Sequence, residues 1–470
     1  MAGGRRARPC RRPIPGVRRR GSRRGKCGVN DLSDSPDALP GFWQAFLDAP
    51  MHRVQKLSIL ALTAMCALDG LDLFAITFAA PVIGREMAIG KAAIGLVLAA
   101  ALAGMALGSL FLSPLADIYG RRRPLLFSLL MMIGGTLWTA LAGNLFDLIG
   151  SRLITGLGVG TMAAVINPLA AEYANAKRRD ISVAIVNLGL PAGAIVSGIL
   201  AAWMIPLLGW RALFLVASGL GMVMLAIVLL WLPESIVGIL SRGGPATQTR
   251  LNHLLNRCGQ PASVAPDAIR PRARRRSIRL LLTPAELPAT VAAAAIFFLF
   301  TLSLYYIQSW VPSLITGAGH TVSQAALAAT AMSVSGVLGG SAFAFLVPRL
   351  GLKRVVIAAV TLTGLAIVLF GVVPMDLPVL VAMSVLVGAS TIGGMVNLYA
   401  ILSRNFPPSA RASGIGFVIG VGRFGSALGP ALGGLLFSLG HERAMVSLVM
   451  AMPALLAAVL LLRIRQRDYA

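Results

Sequence analysis

The sequence predicts an all-α integral membrane protein, with twelve transmembrane helices arranged as two six-helix pseudo-repeat bundles. Three observations predict it. The 470 residues are 57% hydrophobic and only 13% charged, with a mean hydropathy of +0.80, too apolar for a chain dissolved in water. The apolar residues collect in long runs ended by Gly, Pro or charge, and the basic residues return on alternate connections between those runs.

A helix needs about 20 apolar residues to cross the hydrocarbon core, so each crossing with its loop uses about 30. In the first half, helices are predicted near Leu57 to Ile83, Ala92 to Leu115, Pro124 to Ala142, Leu145 to Tyr173, Ile181 to Ile205 and Arg211 to Leu232. In the second half they are predicted near Leu287 to Ile315, Ala325 to Val347, Val355 to Val373, Leu377 to Ser403, Ala412 to Leu439 and Ala444 to Leu462. The expected organisation is a basic tail over 1–50, a six-helix bundle over 51–233, a cytoplasmic central loop over 234–286, a second bundle over 287–463 and a cytoplasmic tail over 464–470. The first 27 residues, mostly Arg, Gly and Pro, have almost nothing to bury and are expected to be disordered. No apolar core follows their charges, so they do not read as a secretory signal, and a start codon assigned too far upstream would account for them.

A formal net charge of +25 would point to nucleic acid in a soluble protein. Here the positive residues fall on one side of the predicted membrane. Arg121, Arg122 and Arg123 follow the second helix, Lys177, Arg178 and Arg179 the fourth, and Arg272, Arg274, Arg275, Arg276 and Arg279 the sixth. Arg349, Lys353 and Arg354 mark the eighth, Arg404 and Arg411 the tenth, and Arg463, Arg465 and Arg467 the twelfth. The intervening connections carry little, such as Arg85 beside Glu86, or Asp376 alone. The positive-inside rule then places both termini in the cytoplasm of a cell whose inner or plasma membrane holds the protein, and nucleic acid drops out as a partner. Cys10, Cys27, Cys66 and Cys258 lack metal-ligand spacing, so reduced thiols are expected, with no metal, cofactor or catalytic residue and no obligate protein partner.

The two halves read as copies. Gly120, Arg122 and Arg123 after the second helix fall in register with Gly351, Lys353 and Arg354 after the eighth. Transporters use such repeats to build two states around one central site.

Four groups of residues carry candidate chemistry. Asp69 and Asp72 lie in the first helix about 18 Å from its start, near the bilayer midplane. At i and i+3 they share a face, and in low dielectric two like charges favour a proton on one of them. Intramembrane carboxylates usually mark ion pathways, and the bland reading is an Asp bonded for packing. Arg152 opens the fourth helix ahead of Gly156, Gly158 and Gly160, and Arg423 sits in the eleventh; a buried Arg needs an anion. For Arg423 that anion is a substrate carboxylate or a first-helix aspartate; for Arg152 it is a partner in the proton pathway. Glu172 reads as a loop ion-pair residue. The turn from Ser113 to Pro124, with Asp117, Gly120, Arg121 and Arg122, suits a conformational latch, weaker in the second half where Pro348 takes the aspartate's place. The seventh helix gathers Phe297, Phe298, Phe300, Tyr305, Tyr306 and Trp310 with Gln308 and Ser309, where a planar substrate could stack. Tyr306, Gln308 and Trp310 are the expected contacts, and lipid-facing aromatics are the alternative.

Together these pieces resemble the major facilitator superfamily from about Phe46 to Arg465. The turn between the second and third helices looks like its Gly-x-Leu-Ala-Asp-Arg-x-Gly-Arg-Arg signature, departing at Ser113 and Ile118, and Pro233, Glu234 and Ser235 resemble the Pro-Glu-Ser that often closes helix 6. Within it, the aromatic acid:proton symporters are the nearest likeness. Their Asp-Gly-Phe-Asp is similar to Asp69, Gly70, Leu71 and Asp72, ahead of Ile76, Ala80 and Pro81. Ala171 to Ala174, Gly209 to Arg211, Ser309 to Pro312 and Gly422 to Gly425 add to the resemblance. It implies the major facilitator fold, a requirement for Asp69, Asp72, Arg152 and Glu172 in proton coupling, a role for Arg423 with the substrate, and Arg411 beside the latch. The expected function is alternating-access import of a small organic acid, an aromatic carboxylate such as a benzoate or hydroxybenzoate, with protons as the coupling ion. Alternatives are a proton-coupled antiporter expelling drugs or acids, a symporter for another carboxylate such as sialic acid or a muconate-like acid, and a membrane sensor that binds without translocating.

Overall fold

In the computed structural model the described residues are 46–112, 115–242, 247–259, 283, 287–406 and 411–463, and the side chains of 117, 118, 241, 242, 403 and 411–413 lie outside the description. The N-terminal tail through residue 45, the arginines of 272–279 and the tail from 464 therefore fall outside it, as do Cys10 and Cys27.

Among the described residues, twelve helices are long and apolar enough to cross a membrane: α1 (Arg53–Glu86), α2 (Lys91–Leu112), α3 (Arg122–Leu141), α4 (Leu145–Tyr173), α5 (Ala176–Leu208), α6 (Trp210–Trp231), α7 (Leu287–Gly317), α8 (Val322–Leu350), α9 (Leu352–Val372), α10 (Leu377–Leu402), α11 (Gly414–Ser438) and α12 (Arg443–Arg463). The chain is an all-helical, multi-pass membrane protein. Two of the helices are irregular. α2 ends in a π-helical turn over Gly108–Leu112, and α5 breaks at Leu188 between the helices Arg179–Asn187 and Gly189–Leu208.

The stretch after α6 differs from the plain loop expected there. Helices Ile236–Arg242 and Thr247–Arg257 bring Ile236, Ile239, Leu251, Leu254, Leu255 and Cys258 together with Phe46 in a small apolar cluster. A leucine at every third or fourth position puts the apolar side of Thr247–Arg257 on one stripe, which explains why a mostly polar segment folds back.

Packing divides the molecule by depth. At the end carrying the basic connections each half keeps its own apolar core: Leu62, Leu129, Val165 and Val228 in the first, Phe297, Val360, Leu398 and Leu461 in the second. At the opposite end a single core joins both halves, with Ile76, Phe78 and Phe214 beside Ile307, Trp310 and Phe370. Glycine makes the joint close. A Cβ on Gly95 of α2 would stand 3.0 Å from the Gly434 Cα of α11, and Ser323 of α8 donates to the Ala202 carbonyl of α5 at 2.6 Å. Toward the basic end α8 has no buried residue from Ser341 to Leu350, and Leu110 and Phe111 of α2 are exposed. The halves are closed together at the opposite end and part at the basic end.

The repeat is visible in backbone and side chains alike. Gly120 and Gly351 both take positive φ, 80° and 84°, a conformation glycine adopts without strain. The basic residue two positions on then reaches the C-terminal carbonyls of the last helix in its own half: Arg122 Nη2 donates to Leu229 O at 2.6 Å, and Lys353 Nζ to Leu462 O at 3.0 Å. Both place a cation at the negative end of a helix dipole.

Candidate substrate and proton site

Helix α1 carries the carboxylates, and α5 fixes its position. A Cβ on Gly70 would overlap the Leu190 carbonyl, and one on Gly193 would overlap that of Ala67, so the two backbones touch where Asp69 and Asp72 sit. Glycine is needed at these positions because no side chain fits between the helices.

Asp72 is buried in a finished network. Arg152 Nη1 lies 3.0 Å from Asp72 Oδ2, Arg152 Nη2 donates to Oδ1 at 3.4 Å, and the Thr136 hydroxyl donates to Oδ1 at 2.6 Å. Arg152 also donates to the Thr139 hydroxyl, at 3.0 Å from Nε and 2.6 Å from Nη2, while its guanidinium stands 5.1 Å above the Phe214 ring. The fully buried arginine thus finds an anion, hydroxyls and a π face from α1, α3 and α6.

Asp69, one turn earlier, is equally buried, yet its Oδ1 has no hydrogen-bond partner. The charges that act on it are those of Asp72 and of Arg423 on α11. Arg423 is half-buried, makes no ion pair among the described residues, and donates from Nη1 to Met105 O at 3.4 Å. Asp69 and Arg423 also act on the hydroxyl of Tyr305 from α7, and Arg423 on that of Tyr399 from α10. A first-half carboxylate with an unpartnered oxygen therefore shares a neighbourhood with a guanidinium and two phenols of the second half, where the separate cores begin to part.

The aromatics of α7 divide by helix face. Tyr306 is fully buried against α12, its hydroxyl 3.4 Å from Ser447 Oγ, and Trp310 Nε1 donates to Pro430 O at 3.1 Å with its ring 4.9 Å from Phe437. The structure uses both for packing, which departs from the expected substrate contacts. Gln308 instead lines a small cavity between the halves with Tyr305, Ser309 and Thr77. The turn of the helix divides the α7 aromatics, and the spacing carries that signal: Tyr305, Gln308 and Ser309 share a polar face at i, i+3 and i+4, while Tyr306 and Trp310 share another. A larger void of about 680 Å³, lined by Arg85, Glu86, Thr321 and Ser323, lies at the opposite end and holds none of the expected site residues.

Glu172 is far from the aspartates. It sits 20 residues beyond Arg152 on α4, about 30 Å along the axis, and pairs with Arg121 Nε at 3.4 Å. That contact belongs to the turn around Gly120, where the amides of Arg121 and Arg122 both donate to Glu234 Oε1 at 3.0 Å. The Tyr173 hydroxyl donates to the Pro233 carbonyl beside it. The signature turn and the Pro-Glu-Ser sequence thus form one structure that ties α3, α4 and α6 together within the first half. The side chains of Asp117 and Arg411 lie outside the described residues. Among the described residues no three His, Cys, Asp or Glu side chains gather as a metal site.

The Major Facilitator Superfamily model matches residues 62–339 and 293–470 of this chain, which together cover most of it. The chain belongs to the Major Facilitator Superfamily. Among major facilitator proteins of curated function, it is 27% identical over 418 residues to a 4-hydroxybenzoate transporter of Acinetobacter baylyi, covering 88% of this chain and 91% of that one. It is 28% identical to a gallate transporter of Pseudomonas putida, over 88% of this chain and 92% of the relative. A benzoate transport protein of Acinetobacter baylyi is 26% identical over 93% of each chain. Among solved major facilitator structures, a bacterial homolog of the human lysosomal transporter Spinster, in an inward-facing and occupied conformation, superimposes with a TM-score of 0.69 at 15% identity. That likeness covers 88% of this chain and 99% of the other and bears on the fold.

Proposed function

We propose that this protein imports an aromatic carboxylate together with protons across the inner or plasma membrane, by alternating access, with both termini in the cytoplasm. The observation that carries the reading is Asp69, buried with one carboxylate oxygen lacking a hydrogen-bond partner among the described residues, in the field of Arg423, which makes no ion pair among them. A buried carboxylate oxygen without a hydrogen-bond partner is a place for a proton, and a guanidinium without an ion pair is a place for a substrate carboxylate. When the substrate occupies Arg423, the cation's pull on Asp69 is divided and the proton is held more tightly, so the two loads favour each other. The names of the relatives, transporters of 4-hydroxybenzoate, gallate and benzoate, support the aromatic acid as cargo. The basic connections of the parted end support a cytoplasmic position for it. The Arg121, Glu172 and Glu234 cluster acts in this reading as a brace that moves the first half as one body.

The test is uptake of labelled 4-hydroxybenzoate and benzoate into proteoliposomes under an imposed inward proton gradient. The expected result is accumulation above equilibrium that collapses with a protonophore. Accumulation driven only by an outward gradient would establish antiport instead, and saturable binding without accumulation would establish a sensor.

A further inference from the structure

The cavity beside Gln308 holds about 20 Å³, close to the space one water occupies, and it lies between the halves at the level of Tyr305. Its apolar wall comes from α1 and α2, including Leu98 and Leu102. Three polar side chains face it: Thr77 of α1, and Gln308 and Ser309 of α7. Thr77 and Ser309 are buried, at 5% and 7% exposure. No hydrogen bond joins any of the three side chains to another described residue. Many other buried helical hydroxyls, such as those of Thr139, Thr155, Thr301 and Thr363, donate instead to a carbonyl one turn back. Polar side chains that open on a space large enough for one water have hydrogen-bonding capacity for a ligand group that enters it.

We propose that this cavity is the subsite for a ring hydroxyl of the substrate, and that Thr77, Gln308 and Ser309 make the protein select hydroxylated aromatic acids over unsubstituted ones. The inference rests on the transport reading above. Tyr305 joins the two sites, since it lines the cavity and also lies in the fields of Asp69 and Arg423. Gln308 and Ser309 stand one turn beyond Tyr305, about 5 Å along the helix, so a benzene ring with its carboxylate toward Arg423 brings a para substituent to the cavity. The lining suits a phenol in particular. Its hydroxyl donates to the Gln308 amide oxygen or a hydroxyl, and accepts from Thr77, Ser309 or the Gln308 amide nitrogen. A methyl group of similar size fills the same volume and leaves all three side chains unpaired. Because Thr77 belongs to the first half and Gln308 and Ser309 to the second, the hydroxyl also bridges the parts that must move together.

The test compares KM for proton-driven uptake of 4-hydroxybenzoate, benzoate and 4-methylbenzoate in proteoliposomes. For the wild type, 4-hydroxybenzoate is expected to have a KM about tenfold lower than either other acid. Thr77→Val and Gln308→Leu are expected to bring the three values within about twofold of one another by raising that of the hydroxy acid, and Thr77→Ser to restore the preference. A wild type that treats 4-methylbenzoate and 4-hydroxybenzoate alike would overturn the subsite without using any variant. Parallel loss of all three acids in the variants would mean that the cavity holds a structural water only, and would overturn it too. If the wild type accumulates none of the acids, the transport reading itself fails, an outcome distinct from lost selectivity.

Discussion

Asp72 is held by Arg152 at 3.0 Å, while Asp69, one turn away on the same helix, keeps a carboxylate oxygen with no hydrogen-bond partner among the described residues. Two acids of one motif therefore have different surroundings. The first is neutralised within one half by a fully buried arginine; the second lies within the field of a cation on the other half.

Asp72→Asn removes the counterion of a fully buried guanidinium. Breaking such a pair costs about 3–5 kcal/mol, so a lower unfolding temperature in detergent is expected, partly restored in the double variant Asp72→Asn with Arg152→Gln.

Asp69→Asn breaks no ion pair and leaves the Arg152 network intact. Its unfolding temperature should stay near that of the wild type while uptake driven by a pH gradient disappears. Undiminished accumulation in this variant would remove Asp69 from proton coupling.

Glu234 caps the start of α3 by accepting from two backbone amides. Glu234→Ala leaves both without that acceptor, a loss of about 1 kcal/mol or more. Trypsin should then cut faster at Arg121, Arg122 and Arg123, measured by fragment mass, with Glu234→Gln in between.

Gly193 and Gly219 provide a paired test of helix approach. A Cβ on Gly193 would overlap the Ala67 carbonyl, whereas one on Gly219 meets nothing within 4 Å. Gly193→Val should give an aggregated or absent peak in size-exclusion chromatography, and Gly219→Ala a normal one.

Cys258 tests the cluster under α6. Burial there pushes its thiol up to about 11. The folded protein holds this proton more tightly than the unfolded chain does, so the cluster's stability falls as pH rises through the ordinary thiol value of 9.0 toward about 11. Alkylation of Cys258 by iodoacetamide should be slow at pH 7.5, speed up as pH rises, and become fast at pH 7.5 in Phe46→Ala, which opens the cluster; mass spectrometry reads each case.

The twelve crossings were legible because hydropathy and charge are summed over some twenty residues at a time, and such sums are insensitive to neighbours. The helix ends in the structure fall within a few residues of those expected. Facing was harder to read. Whether Tyr306 or Tyr305 looks toward the other half depends on α11, whose Gly433 leaves room for the Tyr306 ring. The pairing of Glu234 with the turn at Gly120 joins residues 112 or more positions apart, a contact no local pattern encodes. The free oxygen of Asp69 was equally hidden, because the sequence presents Asp69 and Asp72 as equals and only the seat of Arg152 distinguishes them.

The uneven division of the apolar interior has an energetic consequence. In the proposed alternating-access cycle, one joint core at the opposite end and two separate cores at the basic end mean that the reversed state splits the first and merges the others, burying a similar amount of apolar surface in a different place. The two states then differ by little in free energy, although each is held by many contacts. A cargo as small as one aromatic acid, with only a handful of hydrogen bonds to offer, is then enough to decide which of them is populated.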